Sequence, residues 1–136
     1  MTSLFADSSY YIALLLEADQ MHSRAIELSR HYRTGNPRIV TTAWVMTEVA
    51  NTCSSSALRP RFLKLLDDLT INEGALIVGP DVETFNHGIE LYRSRSDKNW
   101  SLTDCISFVV MNREEITEAL TADRDFEQAG FKALMR

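Results

Sequence analysis

Leu4-Phe5-Ala6-Asp7-Ser8-Ser9 sets three apolar residues against an acid and two hydroxyl side chains. The apolar triplet reads as a short strand. The acid and hydroxyls stop it, because Asp and Ser side chains bond nearby backbone N–H groups and favour helix starts. Tyr10 to Leu16 then reads as a buried helix, and Ala18 to Tyr32 as a second, with Met21, Ala25 and Leu28 on one stripe. Beyond the turn at Gly35-Asn36-Pro37 the same alternation returns. A strand is expected at Arg38–Thr41, helices at Ala43–Ser54 and Arg59–Leu69, and a third strand at Ala75–Val78. Gly79-Pro80-Asp81 starts a helix that runs to about Arg93, and Ser94–Trp100 is a polar loop. An apolar helix at Leu102–Asn112 follows, then a fourth strand within Ile116–Thr121 and a fifth at Phe131–Leu134. Short strands separated by helices predict an α/β chain whose parallel sheet is covered on both faces and joined by right-handed crossovers. No linker or repeat divides residues 1–136, so one domain is expected.

Size and charge narrow the function. A chain of 136 residues buries a core without disulfides. Cys53 and Cys105 form no Cys-x-x-Cys pair and read as buried thiols in a reducing cytoplasm. The longest strongly apolar run, Tyr10 to Leu16, falls far short of the roughly 20 residues that span a bilayer. Met1-Thr2-Ser3-Leu4 carries no basic residue ahead of an apolar stretch, so no secretory signal is expected. The net charge of −5 argues against broad, tight binding to duplex DNA. No phosphate loop, His-Glu-x-x-His motif or dinucleotide glycine motif is present.

In open parallel sheets the binding crevice lies at the carboxyl ends of the strands. Acidic residues sit where that rule points. Asp7 follows the first strand and Asp123 the fourth; Asp104 stands in the first turn of the apolar helix. Glu48 lies about one turn into the helix after the second strand, sharing a face with Trp44, Asn51 and Thr52. Each has an ordinary reading: Asp7 as a helix cap, Asp104 as the far end of a Ser-x-x-Asp capping box, Glu48 as a solvated helix acid, Asp123 as a turn residue. Their joint placement favours a cluster, and clustered carboxylates repel one another unless a cation sits among them. Mg²⁺ or Mn²⁺, hard ions that prefer oxygen ligands, are the natural partners. Without these four acids, fifteen acidic residues stand against fourteen basic ones, a balance of −1.

The motifs Phe5-Ala6-Asp7-Ser8-Ser9, Thr47-Glu48-Val49-Ala50-Asn51, Ser101-Leu102-Thr103-Asp104-Cys105-Ile106-Ser107 and Leu120-Thr121-Ala122-Asp123-Arg124-Asp125-Phe126 occur in this order. In them the chain resembles the PIN-domain family, in particular its stand-alone ribonuclease toxins of the VapC kind. The resemblance spans essentially the whole chain. It implies an α/β/α sandwich of four to five strands, an Mg²⁺ or Mn²⁺ site on Asp7, Glu48, Asp104 and Asp123, and RNA cleavage leaving 5′-phosphate and 3′-hydroxyl ends. It also implies a cognate antitoxin and a homodimer. Asp125 is an extra acid, a candidate ligand or helix N-cap, with the cap preferred. Thr103, Thr121, Asn51 and Ser8 are candidate supports for the carboxylates. Arg93, Arg95 and Lys98 crowd the loop before Asp104, and Trp100 follows, a set suited to pinning phosphates and stacking a base of single-stranded RNA. A solvated loop is the ordinary reading of that set. His22, His31 and His87 fall in no motif and read as surface or structural.

Three other readings stay open at this point. A PIN domain silent in catalysis would serve as a binding scaffold. A phosphoreceiver domain needs an acidic pair near its N-terminus and a lysine ending a late strand, whereas Asp7 stands alone and Lys132 lies inside the fifth strand. A haloacid-dehalogenase-like phosphatase wants Asp-x-Asp where this chain has Asp7-Ser8-Ser9.

Overall fold

The computed structural model describes residues 2–136; Met1 lies outside them. Five strands, β1 (Ser3–Ala6), β2 (Arg38–Thr42), β3 (Ala75–Val78), β4 (Glu118–Leu120) and β5 (Lys132–Ala133), form one parallel sheet in the order β3-β2-β1-β4-β5. The connections are α1 (Ser8–Leu15) and α2 (His22–Gly35), α3 (Ala43–Thr52) and α4 (Arg59–Ile71), α5 (Val82–Ser94) and α6 (Leu102–Arg113), and α7 (Arg124–Gln128). The sheet is wound in two directions from β1, and right-handed crossovers therefore send α1 to α4 to one face and α5 to α7 to the other. The packing agrees: α1 lies against α2 and α3, α5 against α6, and α6 against α7. This is a three-layer α/β/α sandwich.

The reason for the expected order of elements is visible in burial. Leu4, Phe5 and Ala6 of β1 are fully buried, as a central parallel strand covered on both faces must be. On the α5–α7 side Phe126 bridges β1 and α6, with its ring 6.2 Å from Phe5 and 5.0 Å, edge-on, from Phe108. Gly88 lets α5 close on α6, since a Cβ there would come within 2.3 Å of Ile106.

Three expectations shift. Helix α2 begins at His22, because Asp19 holds the turn before it by accepting the Met21 N–H at 2.8 Å. The short helix α7 was not among the expected elements; five residues carry too little periodicity to show. The fifth strand is cut to two residues at the sheet edge.

Between β1 and β4 the winding reverses, and a crevice opens beyond the carboxyl ends at such a switch point. Phe5 pairs with Ala119 and Ala6 with Leu120, so the next rung sets Asp7 level with Thr121. The Asp7 N–H continues the ladder to the Leu120 carbonyl at 3.1 Å.

Candidate metal centre

The ladder fixes the first carboxylate. Asp7 occupies the N-cap position of α1, yet its side chain makes no cap hydrogen bond. Instead Asp7 Oδ2 accepts from Thr121 Oγ1 at 2.8 Å and from Ser9 Oγ at 3.3 Å. Thr121 is fully buried and also accepts the Asp123 N–H at 3.1 Å, and Ser9 Oγ accepts the Ala122 N–H at 3.1 Å. Two hydroxyls thus tie the end of β1 to the turn after β4.

Asp104 is held differently. Ser101 caps α6 and receives the Asp104 N–H at 3.0 Å, while Asp104 Oδ2 accepts the Ser101 N–H at 3.2 Å. This reciprocal capping box orients the carboxyl group as well as ending the helix. Asp123 caps α7, with Oδ1 accepting the Asp125 N–H at 2.8 Å. The cap of α7 is therefore Asp123 and not Asp125. A cap must precede the first turn, whereas Asp125 lies within it, and its carboxylate is left free to face Asp104 and Asp123.

Ligand-type oxygens of Asp104, Asp123 and Asp125 lie within 4.8 Å of one another. Asp7 and Glu48 line the same cleft, together with Ser8, Asn99 and Ser101. Ser8 contributes through its backbone N–H, which favours the charged form of Asp7. Glu48 reaches the cleft from α3 and is felt by Asp7 as a repelling charge. Six acids (Asp7, Asp19, Glu48, Asp104, Asp123 and Asp125) and no basic residue line a cleft of about 640 Å³.

The electrostatic cost shows in two groups. Burial raises the Asp7 carboxyl to about 6, against the hydrogen bond from Thr121, with Glu48 and Asp123 adding to the rise. Burial pushes Asp104 further above the usual carboxylate range, and the charges of Asp123 and Asp7 reinforce it. Both groups hold protons readily because burial penalises the charged form and the charges that reach them are negative. An all-oxygen donor set short of counter-charge fits a hard divalent cation such as Mg²⁺ or Mn²⁺.

Several candidates fall elsewhere. Asn51 is exposed and does not line the cleft, because the face of α3 it shares with Glu48 turns outward within one turn. Thr103 is also outside it; its carbonyl accepts from Ser107 within α6. Trp100 is 94% buried in the core, edge-on to Phe108 at 5.1 Å, so it is no platform for a base. Arg95 lies over the Trp100 ring at 5.0 Å and is held by both carboxylate oxygens of Asp97 at 3.0 Å, so it is not a free phosphate clamp. The Arg95 cation covers the face of the buried indole. Both thiols are buried, and no histidine lines the cleft among the described residues. Ser9, Asp19, Asn99 and Ser101 went unmarked as site residues. Only Ser9 and Ser101 carried a sequence signal, each as a capping hydroxyl.

A sequence model of the PIN domain matches residues 4–132. The crystal structure of VapC20 from Mycobacterium tuberculosis, a Sarcin-Ricin loop cleaving toxin, superposes with a TM-score of 0.79 and 22% sequence identity. The match covers 94% of this chain and 95% of that one, and at this identity it is a likeness of fold. No curated protein matches the chain. Among the described residues no helix is long and apolar enough to cross a membrane.

Proposed function

The chain belongs to the PIN-domain family, and on that footing we propose that it is an Mg²⁺- or Mn²⁺-dependent endoribonuclease acting through the carboxylates of Asp7, Glu48, Asp104 and Asp123. The observation that carries this reading is the cleft itself, with six acids, no base, and three carboxylates close enough to share one ion. A structural role for so much like charge is costly, and a cation-binding role explains it. The fold likeness to a toxin that cleaves RNA supports RNA as the substrate class. The same reading makes the chain the toxin of a toxin–antitoxin pair, homodimeric and cytoplasmic, with residues 1–136 one nuclease domain.

Asp104, Asp123 and Asp125 would hold the ion, with Asp7 and Glu48 completing the negative ring. When bound, the cation supplies an acidified water and neutralises charge that builds on the phosphate. The reaction is hydrolysis: the water oxygen joins phosphorus and the 3′ oxygen leaves as a hydroxyl. Thr121 and Ser9 engage Asp7 Oδ2 and so settle which oxygen is presented to the cleft. Ser101 does the same for Asp104. Burial and the charges of Asp123 and Asp7 favour the protonated form of Asp104, so cation binding there would be coupled to proton release.

The test is cleavage of single-stranded RNA in Mg²⁺ or Mn²⁺, repeated in EDTA, with calorimetric titration of Mn²⁺ beside it. Cleavage only with metal, and Mn²⁺ binding lost in Asp104→Asn, are expected. Cleavage that persists in EDTA overturns the metal role; Mn²⁺ binding without cleavage leaves a silent scaffold.

A further inference from the structure

A second depression, of about 820 Å³, adjoins the acid cleft, and both are lined by Asn99 and Ser101. Most of its other lining residues come from the last two turns of α5 and the loop to α6, among them Ile89, Tyr92, Arg93 and Lys98, and α6 adds Cys105. Among the described residues no acid lines it. Its volume falls in the roughly 300–1,000 Å³ range of ligand sites. Arg95 is spent on Asp97 and Trp100, whereas Arg93 and Lys98 make no ion pair among the described residues. Arg93 has an ordinary role as a base in the last turn of a helix, but that role does not explain Lys98 or the exposed Tyr92 lining the same depression. Tyr92, an amphipathic ring, is 52% exposed in this depression.

We propose that this groove seats the single strand of RNA next to the scissile phosphate, with Tyr92 stacking a base and Arg93 and Lys98 neutralising phosphates. The inference rests on the ribonuclease reading and adds to it a path for the strand and the residues that line it. A flexible strand can leave the acid cleft across Asn99 and Ser101 and turn a base onto Tyr92. A duplex keeps its bases stacked inward and offers none. The cation in the cleft and the side-chain cations in the groove then divide the work, the first on the reacting phosphate and the second on its neighbours. Tyr92 takes the place that Trp100 could not fill once it was folded into the core.

The experiment has two arms. Binding of a fluorescein-labelled ten-nucleotide single-stranded RNA is followed by anisotropy on an Asp104→Asn background, which leaves the probe uncleaved and isolates the groove's contribution. Tyr92→Ala should weaken it about tenfold and Tyr92→Phe should restore it. Arg93→Ala and Lys98→Ala should each flatten the dependence of log K on log salt by about 0.7. In the second arm, on the otherwise native chain, the same alanine variants should raise KM for cleavage and leave kcat nearly unchanged. Tyr92 is exposed, so its variants should fold, as circular dichroism will show. Equal binding by wild-type and Tyr92→Ala overturns the proposal, as does undiminished preference for a duplex of the same sequence. Binding of polyglutamate that depends on Arg93 but not Tyr92 also overturns it, in favour of an acidic protein partner. Groove variants that lose RNA binding while the native chain cleaves nothing would sink the nuclease reading and keep the groove. Cleavage with insensitive binding would do the reverse.

Discussion

Two depressions share a rim and have opposite character. The cleft at the β1/β4 switch point collects six acids without a base; the groove beside it collects cations without an acid. A net charge of −5 conceals this separation. Average charge is a poor guide to a ligand when an ion site and a phosphate path lie side by side, because each is set by local potential. The two regions also differ in construction. The cleft is built largely on strand ends and helix caps, where hydrogen bonds hold the carboxyl groups of Asp7, Asp104 and Asp123. The groove is built on a loop and a helix end, where Arg95 bound to Asp97 and stacked on Trp100 stiffens the turn.

The comparison can be broken most severely at the cleft. Asp104→Asn should reduce cleavage by several kcal/mol of transition-state stabilisation, about a hundred- to thousandfold, in a metal-supplemented RNA assay. The same change should leave thermal stability in EDTA equal or higher. A fall in both together would make Asp104 a structural residue and remove the contrast.

Next in size is the exchange of roles between two aromatics. Trp100→Ala should cost about 3–5 kcal/mol in urea unfolding, as a buried ring does. Tyr92→Ala should cost within about 0.5 kcal/mol, as an exposed one does. Similar losses for the two would deny that one is core and the other free surface.

A third test uses protons. The folded Asp7 group sits at about 6, above its ordinary 3.8. In the metal-free protein its contribution to stability is therefore present in full below about pH 4 and lost as pH rises through about 6. The loss amounts to about 3 kcal/mol. Asp104, also raised, extends the decline to higher pH. Unfolding in EDTA at a series of pH values should show it, Asp7→Asn should flatten it, and Mn²⁺ should reverse it. A metal-free protein that gains stability over this range would contradict the crowding of the carboxylates.

The smallest effect separates anchoring from ligation. Thr121→Val removes the 2.8 Å hydrogen bond to Asp7 while keeping shape, and should raise the Asp7 carboxyl further. NMR titration of that carboxyl group should find it above its wild-type position, and cleavage should fall by about tenfold. An unmoved titration would mean that Ser9 alone orients Asp7.

Much of this was legible in the chain. Full burial of β1 follows from Leu4-Phe5-Ala6, and the acid that ends it had to lie at the carboxyl edge. A long apolar run behind a Ser-x-x-Asp cap, rather than periodicity, placed α6 well, since Leu102 to Asn112 is buried almost all round. Function-bearing loops were read less well. Trp100 looked like a base platform because it follows a cluster of cations, and nothing local says that Phe108, one helix later, would claim its ring. Asp123 and Asp125 are two residues apart, and which of them caps depends on where a five-residue helix starts.

Local sequence alone determined the kinds of element, their order and the acids at their ends, because hydrophobic period and capping chemistry act over a few residues. Tertiary structure alone decided that the winding reverses between β1 and β4, that Thr121 reaches Asp7 across 114 positions, and that a neutral rim of Asn99 and Ser101 joins cleft to groove. Those are matters of strand order and register, which long-range packing sets and no short stretch of residues encodes.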